Sequence, residues 1–223
     1  MLEPAPYLRP TYFLDSDNPA VVEYAHKHSR HDASPEENAV SLYYAVRDDF
    51  MYNPYKIDLR PTGLKASDLL NRNYGYCVEK AVLLAAVARV VGIPTRLSFF
   101  NVRNHIATEK VERVLQTDLL VFHGCTELWL SGRWVKATPA FNAALCRKLN
   151  VPTLEFDGKK DSIFQQFDHS GNVFMDYVHE YGAFHDLPYD LFFGELRKHY
   201  SSVINDEQLA KSGLMIDLNA LAG

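Results

Sequence analysis

Basic clusters are missing from this sequence of 223 residues: 23 Lys and Arg stand against 28 Asp and Glu, a net charge of -5. Neutralising nucleic-acid phosphates takes concentrated cations, so no nucleic-acid partner is expected. No apolar run approaches the ~20 residues that cross a bilayer. The stretch Met1 to Pro10 has no basic segment leading into an apolar one, so neither a membrane partner nor a secretory signal is expected. Cysteine is scarce and odd in number (Cys77, Cys125 and Cys146), which argues against a disulfide framework and for a reducing, cytoplasmic compartment. Internal repeats and low-complexity tracts are also absent. What remains is 47% hydrophobic and 23% charged, the make-up of a soluble globular protein, with a length that suits one large domain or one domain with an appended part.

The local pattern predicts a mixed architecture. Tyr12 to Leu14 reads as a short strand, and Asp15, Ser16 and Asp17 offer capping oxygens for a helix over Pro19 to His28. His26, His28 and His31 crowd this helix end, but residues two apart face different sides of a helix, so they read as solvated rather than metal-binding. Ser34-Pro35-Glu36-Glu37 opens a second helix, with proline in the first turn and acids at the positive dipole end. Val40, Leu42, Tyr43, Val46 and Phe50 give it an apolar stripe. A short helix follows from Ala66. From Cys77 to Val91 only Glu79, Lys80 and Arg89 interrupt an apolar, helix-forming run, which predicts a helix buried on most of its surface and stopped by Gly92 and Pro94. Arg96 to Phe100 and Leu119 to Leu130 read as strands, and Ser131-Gly132 as a hairpin turn into Arg133 to Thr138. Residues 141–223 are rich in aromatics and are expected to pack, as an extension, onto a core formed by residues 1–140.

The residue types that carry chemistry are few. A cysteine in the first turn of a helix sits where unpaired N–H groups and the peptide dipoles favour the thiolate. The same N–H groups can hold the oxyanion of a tetrahedral intermediate. Gly75 and Tyr76 precede Cys77, and Gly75 lets backbone approach a substrate closely. On these residues alone Cys77 reads equally as a nucleophile or as a small buried hydrophobe.

The later segment, His123-Gly124-Cys125-Thr126-Glu127-Leu128-Trp129-Leu130 followed by Gly132-Arg133-Trp134-Val135, sets a histidine early on a hairpin strand. The order Gly75-Tyr76-Cys77, an Ala/Leu-rich helix, Gly92-Ile93-Pro94-Thr95-Arg96, the His123 strand and the Trp134 return strand resembles the transglutaminase-like superfamily, over about residues 36 to 140. Tyr43 to Tyr55, YYAVRDDFMYNPY, is similar to the helix that precedes the cysteine in that family. The superfamily includes transglutaminases, peptide N-glycanases and bacterial cysteine-protease-like proteins. The resemblance implies an α+β fold with a papain-like core, in which a buried cysteine-bearing helix packs against an antiparallel sheet. It puts the nucleophile at Cys77 and its base at His123.

The family's third residue, an Asp that holds the imidazole, falls on Thr138, a departure that leaves a hydroxyl where a charge is usual. Glu127 is a weak substitute, because a residue four along the same strand lies ~13 Å away. Asp118, Asn142, Asp157 and Asp161 could reach the histidine only through tertiary folding. Cys125 and Trp129 share a strand face with His123 and are expected near the site. A metal held by His123, Cys125 and Cys146 lacks any close ligand pair, so neither a metal nor another cofactor is expected. The resemblance implies acyl transfer on a peptide or other amide substrate, with water as the default acceptor, an amine as the alternative for a transglutaminase or cyclase, and a catalytically impaired binding module as the rival class.

Overall fold

The computed structural model describes residues 5–105 and 109–221. Helices α1 (Pro19–Lys27), α2 (Pro35–Asp49) and α3 (Ala66–Leu69) surround a central helix α4 (Cys77–Val90). Between α2 and α4 lie the short strands β1 (Met51–Tyr52), β2 (Lys56–Asp58) and β3 (Tyr74–Gly75). After α4 come β4 (Thr95–Asn104), α5 (Glu109–Leu115), β5 (Leu119–Leu130), β6 (Arg133–Ala137) and α6 (Ala143–Leu149). The chain ends with β7 (Met175–Phe184), α7 (Tyr189–His199), α8 (Asp206–Ser212), β8 (Met215–Asp217) and α9 (Leu218–Leu221).

Helix α2 starts where the sequence places it. Ser34 Oγ accepts the Glu37 N–H while the Glu37 carboxylate accepts the Ser34 N–H, a reciprocal cap worth about 1 kcal/mol. Helix α1 is capped one residue later than expected, by Asn18. Asp15 is occupied elsewhere, accepting from the backbone and hydroxyl of Ser67 and so tying the chain entry to α3. The strand expected over Tyr12 to Leu14 does not form. Thr11 and Ser16 both donate backbone N–H groups to Leu14 O, which coils the segment and buries Phe13 and Leu14.

Every residue of α4 from Cys77 to Arg89 is buried. One side meets α1, α2 and α3, and the other lies on β5, so the helix has no solvated stripe. Its polar residues are therefore committed to partners. Lys80, fully buried, donates to the carbonyls of Arg47, Phe50 and Ala140, each at 2.8 Å. Arg89 binds Thr95 and the carbonyls of Arg9 and His185. The sheet is antiparallel in the order β6-β5-β4-β7, with Trp129 across from Trp134 and Phe100 across from His123. Ser131 and Gly132 both have positive φ, the primed-turn geometry of a tight hairpin. β7, from the C-terminal part of the chain, pairs with β4 along the sheet's edge. No helix among the described residues is long and apolar enough to cross a membrane. The architecture is α+β, with a buried helix bearing Cys77 against an antiparallel sheet.

Candidate active site

Cys77 opens α4, and the reason lies in the residues around it. Tyr76 is extended and offers no side-chain cap, but its N–H donates to the Glu79 carboxylate at 2.9 Å, which fixes the first turn. Arg72 in turn holds Glu79 at 2.7 Å. The strand β5 comes unusually close to this helix end at Gly124. A Cβ there would lie 2.9 Å from Val78 Cα and 3.2 Å from Cys77 O, so only glycine permits the approach. The approach brings the Gly124 backbone N–H to the Cys77 sulfur, beside that of Val78. Both N–H groups favour the thiolate, as expected of a helix N-terminus. Burial outweighs them and pushes the thiol up to about 11, with the Glu79 charge adding to the rise.

His123 lies between two cavities. On one side it shares a cavity of about 60 Å³ with Cys77, lined by apolar groups from Tyr52, Ile57, Val121, Leu196 and Leu218. Burial pushes the imidazole down to about 4, which keeps it neutral near pH 7. No direct Cys77–His123 hydrogen bond forms among the described residues, although the two line the same space. On its other side His123 lines a cavity of about 10 Å³ together with Thr138 and Gln165. Thr138 is not across the sheet from His123. The register Thr126↔Ala137 continues to put Thr138 opposite Cys125, whose thiol its hydroxyl faces without a bond of normal geometry, so Thr138 Oγ1 is buried and unpaired.

The other expected residues divide by strand position. Glu127 is bound to Arg96 at 2.6 Å and lies 3.9 Å from Lys136, away from the imidazole. Trp129 packs edge-on against Trp134 at the far end of the hairpin. Cys125 is fully buried on the face that meets Thr138 and Ser98, not in the Cys77 cavity. Gly75 is glycine for packing rather than for substrate approach, since Leu69 and Glu79 fill the space a Cβ would take. Tyr76 does line the Cys77 cavity. Asp118 pairs with Arg103, Asp161 accepts from the Lys136 backbone, Asp157 from those of Lys159 and Lys160, and Asn142 from that of Tyr52. None of these four meets His123.

Three contributors escaped the sequence reading. Tyr52 lines the Cys77 cavity, and its hydroxyl is near enough to the sulfur for the two to influence each other's charge. Burial raises that phenol well above its ordinary range, so it stays an O–H donor. The stretch Tyr43 to Tyr55 already marked its neighbourhood. Tyr200 and Leu218 come from the C-terminal segment and roof the same cavity, a placement no spacing reveals.

No curated protein matches the sequence. Among solved structures the chain is similar to a candidate cysteine protease from Cytophaga hutchinsonii, at 16% identity and a TM-score of 0.46, over 80% of this chain and 53% of that one. It thus spans about half the length of that relative. It is also similar to a candidate protease from Parabacteroides distasonis, at 13% identity and a TM-score of 0.37, over 56% of this chain and 25% of that one. The model of the transglutaminase-like superfamily matches residues 22–139, from α1 through the hairpin that carries His123. A match over more than half of the sequence, spanning both Cys77 and His123, makes this chain a member of the transglutaminase-like superfamily.

Proposed function

We propose that the protein is a cysteine-dependent enzyme that acts on an amide by acyl transfer, with Cys77 as nucleophile and His123 as its base. The observation that carries this reading is the Cys77 sulfur at the start of α4, with N–H groups of Gly124 and Val78 beside it and a neutral His123 in the same cavity. His123 takes the thiol proton as the sulfur adds to the amide carbonyl carbon. The oxyanion is held by the N–H groups at the helix start and by the Tyr52 hydroxyl. When the C–N bond breaks, His123 gives its proton to the leaving amine, and a thioester on Cys77 remains. Water then adds with His123 as base, releasing a carboxylic acid and restoring the thiol. An amine in place of water would yield a new amide. The apolar lining of the cavity favours an uncharged acyl group.

A non-catalytic binding module is the second reading, favoured by Thr138 in the place of the family's carboxylate and by a thiol raised to about 11. The two separate in one assay. The full chain is incubated with N-acyl amides of graded apolar acyl groups, and free acid is measured with and without an added primary amine. Acid release that vanishes in Cys77→Ser and His123→Ala supports hydrolysis, and a new amide supports transfer. Undiminished turnover in Cys77→Ser, or no acylation of Cys77 by any member of the series, would sink the enzyme reading.

A further inference from the structure

We propose that Gln165 is the group that positions His123, in place of the carboxylate expected at position 138. The inference rests on the reading of His123 as a base and supplies what that reading lacks, a partner for the ring nitrogen remote from Cys77. Gln165 is only 6% exposed, although it lies in an irregular stretch between α6 and β7. The stretch is pinned on both sides: Ser162 bridges to β6 at Ala137, and Gln166 O accepts the Phe174 N–H.

The amide of Gln165 is half committed. Its Nε2 donates to Pro152 O at 3.0 Å and to the Cys146 sulfur at 3.6 Å. That fixes which end of the amide is left over. Oε1 accepts no hydrogen bond among the described residues, while the residue lines the cavity of about 10 Å³ that also receives His123 and Thr138. His123 and Gln165 form no direct hydrogen bond, and a space of that size holds one water at most, so a single molecule would bridge the amide oxygen to the imidazole. A buried imidazole N–H left unpaired costs about 1–3 kcal/mol, and an acceptor there also fixes the tautomer. Thr138 lies opposite Cys125, two residues along the strand from His123, and its unpaired Oγ1 lines the same cavity, so Thr138→Ala is the control that separates the two.

An amide accepts the N–H but brings no charge. Gln165 therefore sets the tautomer that leaves the nitrogen facing Cys77 free to take a proton, without stabilising the imidazolium. Two readouts test this on the full chain: the ¹⁵N imidazole signals of His123, and the pH profile of Cys77 alkylation by iodoacetamide. Wild type should show one dominant tautomer. Gln165→Ala should show a mixture of both, with alkylation slowed on the order of tenfold, the effect of losing one buried hydrogen bond. Gln165→Glu, which keeps an acceptor toward His123 while giving up the Nε2 bond to Pro152 O, should restore a single tautomer and move the profile to lower pH, a rescue that mere packing would not give. An unchanged tautomer and profile in both variants, or a mixture produced by Thr138→Ala and not by Gln165→Ala, would overturn the proposal. A His123→Ala variant that alkylates like wild type would instead refute the base role of His123, which the tautomer measurement reads separately.

Discussion

At Cys77 two influences oppose each other, and their balance decides how the residue behaves. The helix start and the Gly124 N–H favour the thiolate, while burial and the Glu79 charge oppose it and win. Glu79→Gln keeps an acceptor for the Tyr76 N–H and removes the opposing charge. The pH midpoint of Cys77 alkylation should therefore fall in that variant, as a pH–rate series will show. His123 has its own signature. Its folded value, about 4, lies below the ordinary 6.5, so between those limits the unfolded chain binds the proton and the folded chain does not. Its contribution is complete above pH 6.5 and is lost as pH falls toward 4, by about 3 kcal/mol at most. Glu79, raised from 4.5 to about 7 by burial, acts in the opposite sense, gaining stability as pH falls through that window. Urea midpoints from pH 7 to 4 should thus fall less steeply for His123→Gln than for wild type, and more steeply for Glu79→Gln.

Helix α4 and strand β5 were the most legible elements, because an almost unbroken apolar run and a hairpin turn leave few alternatives. Their mutual approach was not legible. It depends on Gly124, which reads in sequence as an ordinary strand glycine and in the structure as the point where helix backbone and strand touch. Gly124→Ala should separate the two elements, lower stability by about 1–3 kcal/mol as overpacking does, and slow Cys77 alkylation. Chemical denaturation and pulse labelling check the two effects independently. The expected strand at Tyr12 to Leu14 failed for a related reason: its apolar residues were needed in the core, and local turns delivered them there. The family-like order of motifs marks Cys77 and His123, which line one cavity, but Gln165, the proposed partner of His123, comes from a loop with no periodicity to announce it.

Across the whole molecule, the C-terminal segment closes the site. Phe192, Leu196, Tyr200 and Leu218 roof the Cys77 cavity, and Cys77 retains 8% exposure. The roof is tied down by β2–β8 pairing over three residues, by Leu218 N–H to Tyr55 O, and by Tyr200, whose hydroxyl accepts from Val121 N–H and donates to Leu119 O. Leu218→Ala removes apolar cover and should cost about 2–5 kcal/mol. It should also speed Cys77 alkylation, since hydration of the cavity relieves the burial that raises the thiol. Slower labelling at equal folded fraction would mean that the roof is not what shields the sulfur.

The measurement that bears most directly on the central claim is a short iodoacetamide pulse on the folded chain, read by peptide mass spectrometry, in wild type and His123→Ala. Cys125 and Cys146 are fully buried, whereas Cys77 opens onto a cavity it shares with His123. Cys77 should be labelled first in wild type, and its rate should drop on the order of a hundredfold without the imidazole, the lower end of what a positioned base contributes. Labelling of Cys146 with Cys77 untouched, or an equal Cys77 rate in the two proteins, would contradict the assignment of Cys77 and His123 as nucleophile and base.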